Sequence, residues 1–341
     1  MITLLTQCFP PDHGGIETLM GQFAQALHAA GHPVTVLADH IRGGAPEPAW
    51  PFPVRRFGGP RPWRRWRKAR AVGGGPVIAD SWKSLESLPA RTGPVLVLAH
   101  GNELLRTEGA RGERIRAALA RATVVAANSR YTAGLLAGLH PNVQVINLPV
   151  SPPPPGGRVA RRGDHIVSLG RLEPRKGMDM VIRALTTLPD ARYTIIGEGA
   201  DRARLEALVR ELGLEERVRL AGAVDDTRKA ALLSAADIFA MPARREGASV
   251  EGYGIAYLEA AWFGLPSVAG LEGGAADAVL DGETGLLVDG TDAEAVRGAL
   301  ARLLADEPLR LRLGAAARAR VEHDLSWKAV LPRYLALLSV P

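Results

Sequence analysis

Apolar and polar positions change rhythm along this chain in a pattern that repeats. Residues 1–6 (MITLLT) are a short apolar run, and 7–15 hold Pro10, Pro11, Gly14 and Gly15, which mark a loop. From Ile16, apolar side chains return at Leu19, Met20, Phe23, Ala24 and Leu27, a three-and-four spacing that predicts a helix over 16–30. Gly31 ends it, and 33–38 reads as the next strand. A strand, a crossover helix and a second strand imply parallel pairing. The continuous apolar runs 94–99 (PVLVLA) and 122–127 are expected for strands covered on both faces. The second of these leads through Asn128 and Ser129 into a helix, and 143–150 is the last strand of this part.

Residues 151–157 (SPPPPGG) can only be a stiff linker. The alternation then restarts. Strands are predicted at 164–169, 193–197, 218–221, 238–241, 266–269 and 285–288. Helices are predicted at 178–188, 200–212, 229–235, 254–263, 292–306 and 309–322. This divides the chain into a domain over 1–150, a linker over 151–157 and a domain over 158–325. An amphipathic tail helix, within 326–341, is expected to cross back onto the first domain. The fold class is α/β, with two doubly wound, Rossmann-like domains facing a deep cleft. Ligands should sit at the carboxyl ends of the strands.

Composition narrows the classes. With 341 residues, 47% hydrophobic and 23% charged, the chain is neither disordered, collagenous nor a coiled coil. No apolar stretch approaches the ~18 residues of a spanning helix. The start does not read as a signal peptide, and the single cysteine, Cys8, cannot form an internal disulfide, so a cytoplasmic protein is expected. The net charge of +6 comes from five lysines and 37 arginines. A lysine in such a chain stands against a strong arginine background, which singles out Lys176.

Four clusters could carry chemistry. Gly14-Gly15 precedes the first helix, where backbone amides can approach an anion; the alternative is a plain turn. His100-Gly101 follows the PVLVLA strand, where ligands bind in such sheets; the alternative is a histidine satisfied by loop carbonyls. Gly170-Arg171-Leu-Glu-Pro-Arg-Lys176-Gly177 places cations ahead of a helix start. That is locally unfavourable unless an anion such as phosphate compensates, or the loop is simply solvated. Glu251-Gly-Tyr-Gly254-Ile-Ala-Tyr-Leu-Glu259 brackets a helix start at Gly254, Ile255 and Ala256 with two carboxylates. The bland alternative is a surface helix.

These residues together resemble the retaining glycosyltransferases of family 4, with the GT-B fold. The resemblance rests on the Glu-x7-Glu motif (EGYGIAYLEA), the Gly-Arg-x4-Lys-Gly loop, the N-terminal Gly-Gly and His100-Gly101. It is extended by Ile196-Gly197-Glu198-Gly199, by 218–224 (VRLAGAV) and by 282–288 (GETGLLV). It runs from near residue 1 to about 325 and is most diagnostic in the second half.

The resemblance implies a hexosyltransferase that moves a sugar from a nucleotide-diphosphate-sugar to an acceptor hydroxyl with retention. No cofactor is implied, and the base is left open. There is no Asp-x-Asp motif, so no metal is expected. Arg171 and Lys176 would stand in for one at the diphosphate, helped by the amides of Gly254, Ile255 and Ala256. Glu259 would hold the ribose. Glu251 would orient the transferred sugar, and His100 would contact it. Gly197, Gly199, Gly222 and Val224 would face the base, and Gly14 and Gly15 would approach the phosphates. The loop that often reads Gly-Gly-x-Pro-Glu in the family is here Gly273-Gly274-Ala275-Ala276-Asp277, which leaves its contacts open. Glu246 reads as an exposed carboxylate.

On the acceptor side, Arg61-Pro-Trp63-Arg-Arg-Trp66-Arg67-Lys68-Ala-Arg70 sets two tryptophans among six basic residues. Two readings stand open. In one, Trp63, Trp66 and the cations over 64–70 contact a membrane surface or an anionic lipid-linked acceptor at the inner face of the membrane. In the other, a solvated arginine-rich helix packs its tryptophans on the sheet. No nucleic-acid-binding module is present. Two other functions share the architecture: a sugar-nucleotide epimerase and a non-catalytic nucleotide-sugar-binding protein. The lack of a Gly-x-Gly-x-x-Gly after the first strand argues against a nicotinamide oxidoreductase.

Overall fold

The computed structural model describes residues 1–12, 14–41, 46–90, 92–154 and 162–338. The chain forms two compact units, Met1–Leu148 with Trp327–Pro341, and Pro149–Ser326. Of the SPPPPGG segment, 155–157 lie outside the described residues.

The first unit is built on seven parallel strands: β1 (Ile2–Leu5), β2 (Val34–Asp39), β3 (Val54–Phe57), β4 (Val77–Ala79), β5 (Val95–Ala99), β6 (Val124–Ala127) and β7 (Val143–Val145). Their order is β3-β2-β1-β4-β5-β6-β7. The second unit has six parallel strands: β8 (His165–Leu169), β9 (Arg192–Ile196), β10 (Val218–Gly222), β11 (Ile238–Met241), β12 (Ser267–Gly270) and β13 (Gly285–Val288). Their order is β10-β9-β8-β11-β12-β13. Each sheet is therefore doubly wound. The strand order reverses between β1 and β4 in one unit and between β8 and β11 in the other, and ligands of such sheets bind outside the carboxyl ends at that point.

Burial explains which strands the pattern revealed. All residues of β1, β5, β6, β11 and β12 are buried, as apolar runs covered by helices on both faces must be. Edge strands follow another rule, because one side stays in water. Strand β3 (VRRF) holds an exposed Arg55 and a half-buried Arg56 on alternate faces, and its pattern gave no apolar signal. Strand β4 is central and fully buried, but only three residues long after a glycine run. The strand expected over 143–150 stops at Val145.

Helix boundaries follow their caps. The helix expected from 229 starts at Asp226, because the Asp225 side chain accepts from the Arg228 amide at 2.7 Å. The final helix, Trp327–Leu338, packs on the helix Gly15–Ala29 of the first unit. There the Phe23 ring lies 5.1 Å from Trp327 and 5.0 Å from Tyr334, and Trp327 Nε1 donates to Gln22 Oε1 at 3.1 Å.

Candidate active site

In the second unit two loops leave the sheet at the reversal point, 170–177 after β8 and 242–254 after β11. They press together at Gly177, where φ is +72° and a Cβ would sit 2.2 Å from the Pro242 carbonyl oxygen. Only glycine fits there. The loops are tied again where the Arg244 amide donates to the Arg175 carbonyl at 2.8 Å.

This registry places Glu251 under two cations. Arg175 Nη1 donates to Glu251 Oε2 at 2.8 Å, and Lys176 Nζ donates to the same oxygen at 2.5 Å. All three side chains are buried. Burial alone would raise the Glu251 carboxyl, but the charges of Lys176 and Arg175 overturn that and hold it at about 2. Both bonds fall on Oε2. Arg175 also pairs with Glu173 at 2.8 Å, and Glu173 pairs with Arg171 at 2.9 Å. The row thus carries three cations against two carboxylates, a net positive charge at the strand ends.

A further brace lies beneath. Asp179 takes both terminal nitrogens of Arg244 at 2.9 and 3.0 Å, and one of Arg204 at 3.3 Å. Burial opposes its ionisation, yet the two guanidinium groups keep its carboxyl below the ordinary range.

The helix Ile255–Ala261 starts at the same edge. Gly254 precedes it with φ +93°, where a Cβ would strike the Tyr257 ring at 2.4 Å, so the position requires glycine. The Tyr257 hydroxyl donates to the Met241 carbonyl at 2.6 Å, which fixes the helix start to the end of β11. Its first amides, at Ile255 and Ala256, have no carbonyl one turn earlier within the helix to bond. Glu259 lies about one turn in and accepts from Lys229 Nζ at 2.7 Å; Lys229 also meets Asp226 at 2.9 Å. Burial pulls the Lys229 ammonium down, but those carboxylates outweigh it and leave it raised.

The remaining expected positions of this unit lie along the same strand ends. The Gly197 amide donates to the Gly222 carbonyl at 2.9 Å, and the Leu172 amide to Glu198 at 3.0 Å, so the turn after β9 rests on the loop after β8. Val224 is half-buried just beyond β10. The Gly274 amide donates to the Glu251 carbonyl at 2.8 Å, which brings the 273–277 loop against the same glutamate. Glu246 is exposed.

The structure joins Lys176 to Glu251 but leaves Arg171 at the outer end of the row, its side chain 75% exposed. The buried arginine is Arg175, which the sequence reading passed over. Lys229, the partner of Glu259, was also missed, although the scarcity of lysine flagged it as strongly as Lys176.

In the first unit His100 follows β5. Its Nε2 lies 2.9 Å from the Asp80 carbonyl, its amide donates to Glu103 Oε1 at 2.7 Å, and its carbonyl accepts from Asn128 at 3.3 Å. Asp80 follows β4 and accepts from the Thr6 hydroxyl at 2.6 Å and the Ser84 hydroxyl at 2.5 Å. Gly14 and Gly15 are exposed at the head of the Gly15–Ala29 helix. Among the described residues no group of three or more His, Cys, Asp or Glu side chains is placed to hold a metal ion.

Two family models match the chain: "Glycosyl transferases group 1" over 159–320 and "Glycosyltransferase Family 4" over 13–152. A Mycolicibacterium smegmatis protein named GDP-mannose-dependent alpha-(1-6)-phosphatidylinositol monomannoside mannosyltransferase is 34% identical, covering 98% of this chain and 97% of its own. The Mycobacterium tuberculosis protein of the same name is 31% identical over 96% and 94%. Among solved structures, sucrose-phosphate synthase from Thermosynechococcus elongatus superposes with a TM-score of 0.83 at 23% identity, over 99% of this chain and 100% of its own. That likeness shows a shared two-domain, Rossmann-like fold of the GT-B class.

Proposed function

Because the chain belongs to the family 4, group 1 glycosyltransferases, we propose that it transfers mannose from GDP-mannose to a hydroxyl of a lipid-anchored glycoside, with retention and without a metal. That it is a glycosyltransferase using a nucleotide sugar follows from the family and the full-length relatives. The donor and acceptor are carried over from the names of the two mycobacterial relatives. An alpha product from an alpha-configured donor is retention.

The observation that carries the reading is the buried Lys176–Glu251–Arg175 cluster at the reversal point of the second sheet. In this reading the ammonium of Lys176 and the exposed guanidinium of Arg171 take the diphosphate, with the amides of Gly254, Ile255 and Ala256. Negative charge grows on the leaving diphosphate as the bond to the anomeric carbon breaks, and fixed cations stabilise it. The acceptor oxygen forms the new bond on the same face and gives its proton to the departing phosphate. Glu251 Oε1 accepts from a hydroxyl of the sugar, while Oε2 stays on the two cations. Glu259 accepts from the ribose. Gly197, Gly199, Gly222 and Val224 border the base.

A thermal-shift panel of GDP, UDP, ADP and TDP tests the donor, and GDP is expected to stabilise most. Activity with GDP-mannose should survive EDTA, and NMR of the product should show the alpha anomer. A larger shift with UDP, or loss of activity in EDTA, would overturn the corresponding part of the reading. Conversion of the donor alone into an epimer would move the assignment to an epimerase. Glu259→Ala removes a charged acceptor from the ribose, a bond worth about 1.5–3 kcal/mol. It is expected to lower kcat/KM roughly 10- to 100-fold, mostly through the donor KM. An unchanged donor KM would remove Glu259 from the site.

A further inference from the structure

The helix Arg61–Ala71 is turned inside out. A helix on a soluble protein normally buries its apolar stripe and exposes its charges. Here Lys68 is buried, with its ammonium on the Thr6 carbonyl at 2.5 Å and on Asp39 at 2.6 Å. Arg64, one turn earlier, reaches Asp39 at 3.1 Å. The opposite face carries Trp63 and Trp66, which are 64% and 52% exposed. Their rings meet edge to face at 6.0 Å, and the Arg70 guanidinium lies 4.8 Å over Trp66. The tryptophans therefore do not pack on the sheet. The structure decides that half of the question the sequence left open.

We propose that this face docks on an anionic phospholipid surface. Charge supports that occupant. The helix has six cations, and among the described residues the carboxylates paired with them are Asp39 and Glu86. The surplus positive charge surrounds two indoles, and that combination suits the headgroup layer of an anionic membrane, where the rings enter the interface and the cations meet phosphates.

Position adds a second argument. Thr6 and Asp39 stand at the carboxyl ends of β1 and β2. The Lys68 bonds thus pin the helix to the ligand-binding end of the first sheet, and docking would hold that end against the bilayer. This inference goes beyond the transfer reaction, and its test involves no turnover. Failure of one therefore leaves the other standing.

The test is co-sedimentation with vesicles of phosphatidylcholine alone and of phosphatidylcholine mixed with phosphatidylglycerol, at low and high salt. The wild-type chain is expected to sediment with the mixed vesicles, to prefer them over neutral ones and to be released by salt. Trp63 and Trp66 stand in solvent, so W63A/W66A keeps its fold and should lose on the order of tenfold or more in partition. R67E/R70E keeps both rings and should lose at least a similar factor. Sedimentation of either variant like the wild type would overturn the proposal. So would equal binding to neutral vesicles, or tighter capture by duplex DNA of equal phosphate content.

Discussion

Replacing Lys176 by alanine is expected to lower kcat by roughly 10²–10³, the usual cost of removing one fixed donor from developing charge. The ammonium is buried and held by Glu251 Oε2 at 2.5 Å, so it is already in place when the leaving group begins to charge. Arg175 remains on the same carboxylate at 2.8 Å. Glu251 is therefore not orphaned, and the variant should fold. Steady-state kinetics with a thermal melt checks this. Near-wild-type turnover in a folded variant would remove Lys176 from the reaction. Arginine at 176 should rescue little, because a planar fork does not replace a point charge on a short reach.

The second large effect is expected from Glu251→Gln, and it should appear in stability as well as activity. The neutral amide leaves Arg175 and Lys176 buried without the carboxylate they share. Breaking a buried pair typically costs about 3–5 kcal/mol. The pH dependence identifies the cause. The carboxyl is held at about 2, below its ordinary value of 4.5, so its stabilising contribution is complete above pH 4.5. It is lost as pH falls from 4.5 through about 2. The difference in urea midpoint between wild type and variant should be largest near neutrality and shrink across that window. A difference independent of pH would show that packing, not charge, is lost. Turnover should also fall, since the residue proposed to orient the sugar has lost its ionised form.

How much of this could be read from the chain depends on where each signal came from. Apolar runs such as VLVLA at β5 were legible because a strand covered on both faces admits little else. Strand β4 was not, since three residues after a glycine run carry no period, although it lies beside the reversal point. Lys176 was found by its rarity. Arg175 was hidden by abundance: Arg171 and Arg175 lie in one loop, and only the fold decides that one is buried against Glu251 while the other stays in water. The pairing of Glu251 with residues about 75 positions away depends on two loops meeting at Gly177 and Pro242, which no local pattern encodes. The outward tryptophans broke the usual amphipathic rule, and such violations gather at functional surfaces.

The central claim is that the phosphates of the donor, rather than its base, are gripped by the Lys176 cluster of the second unit. Isothermal calorimetry of GDP and of guanosine on the wild-type chain and on Lys176→Ala tests it most directly. GDP affinity should fall by roughly tenfold or more in the variant, the worth of one charge-assisted bond, while guanosine binds both proteins alike. Equal GDP affinity in the two proteins would contradict the account.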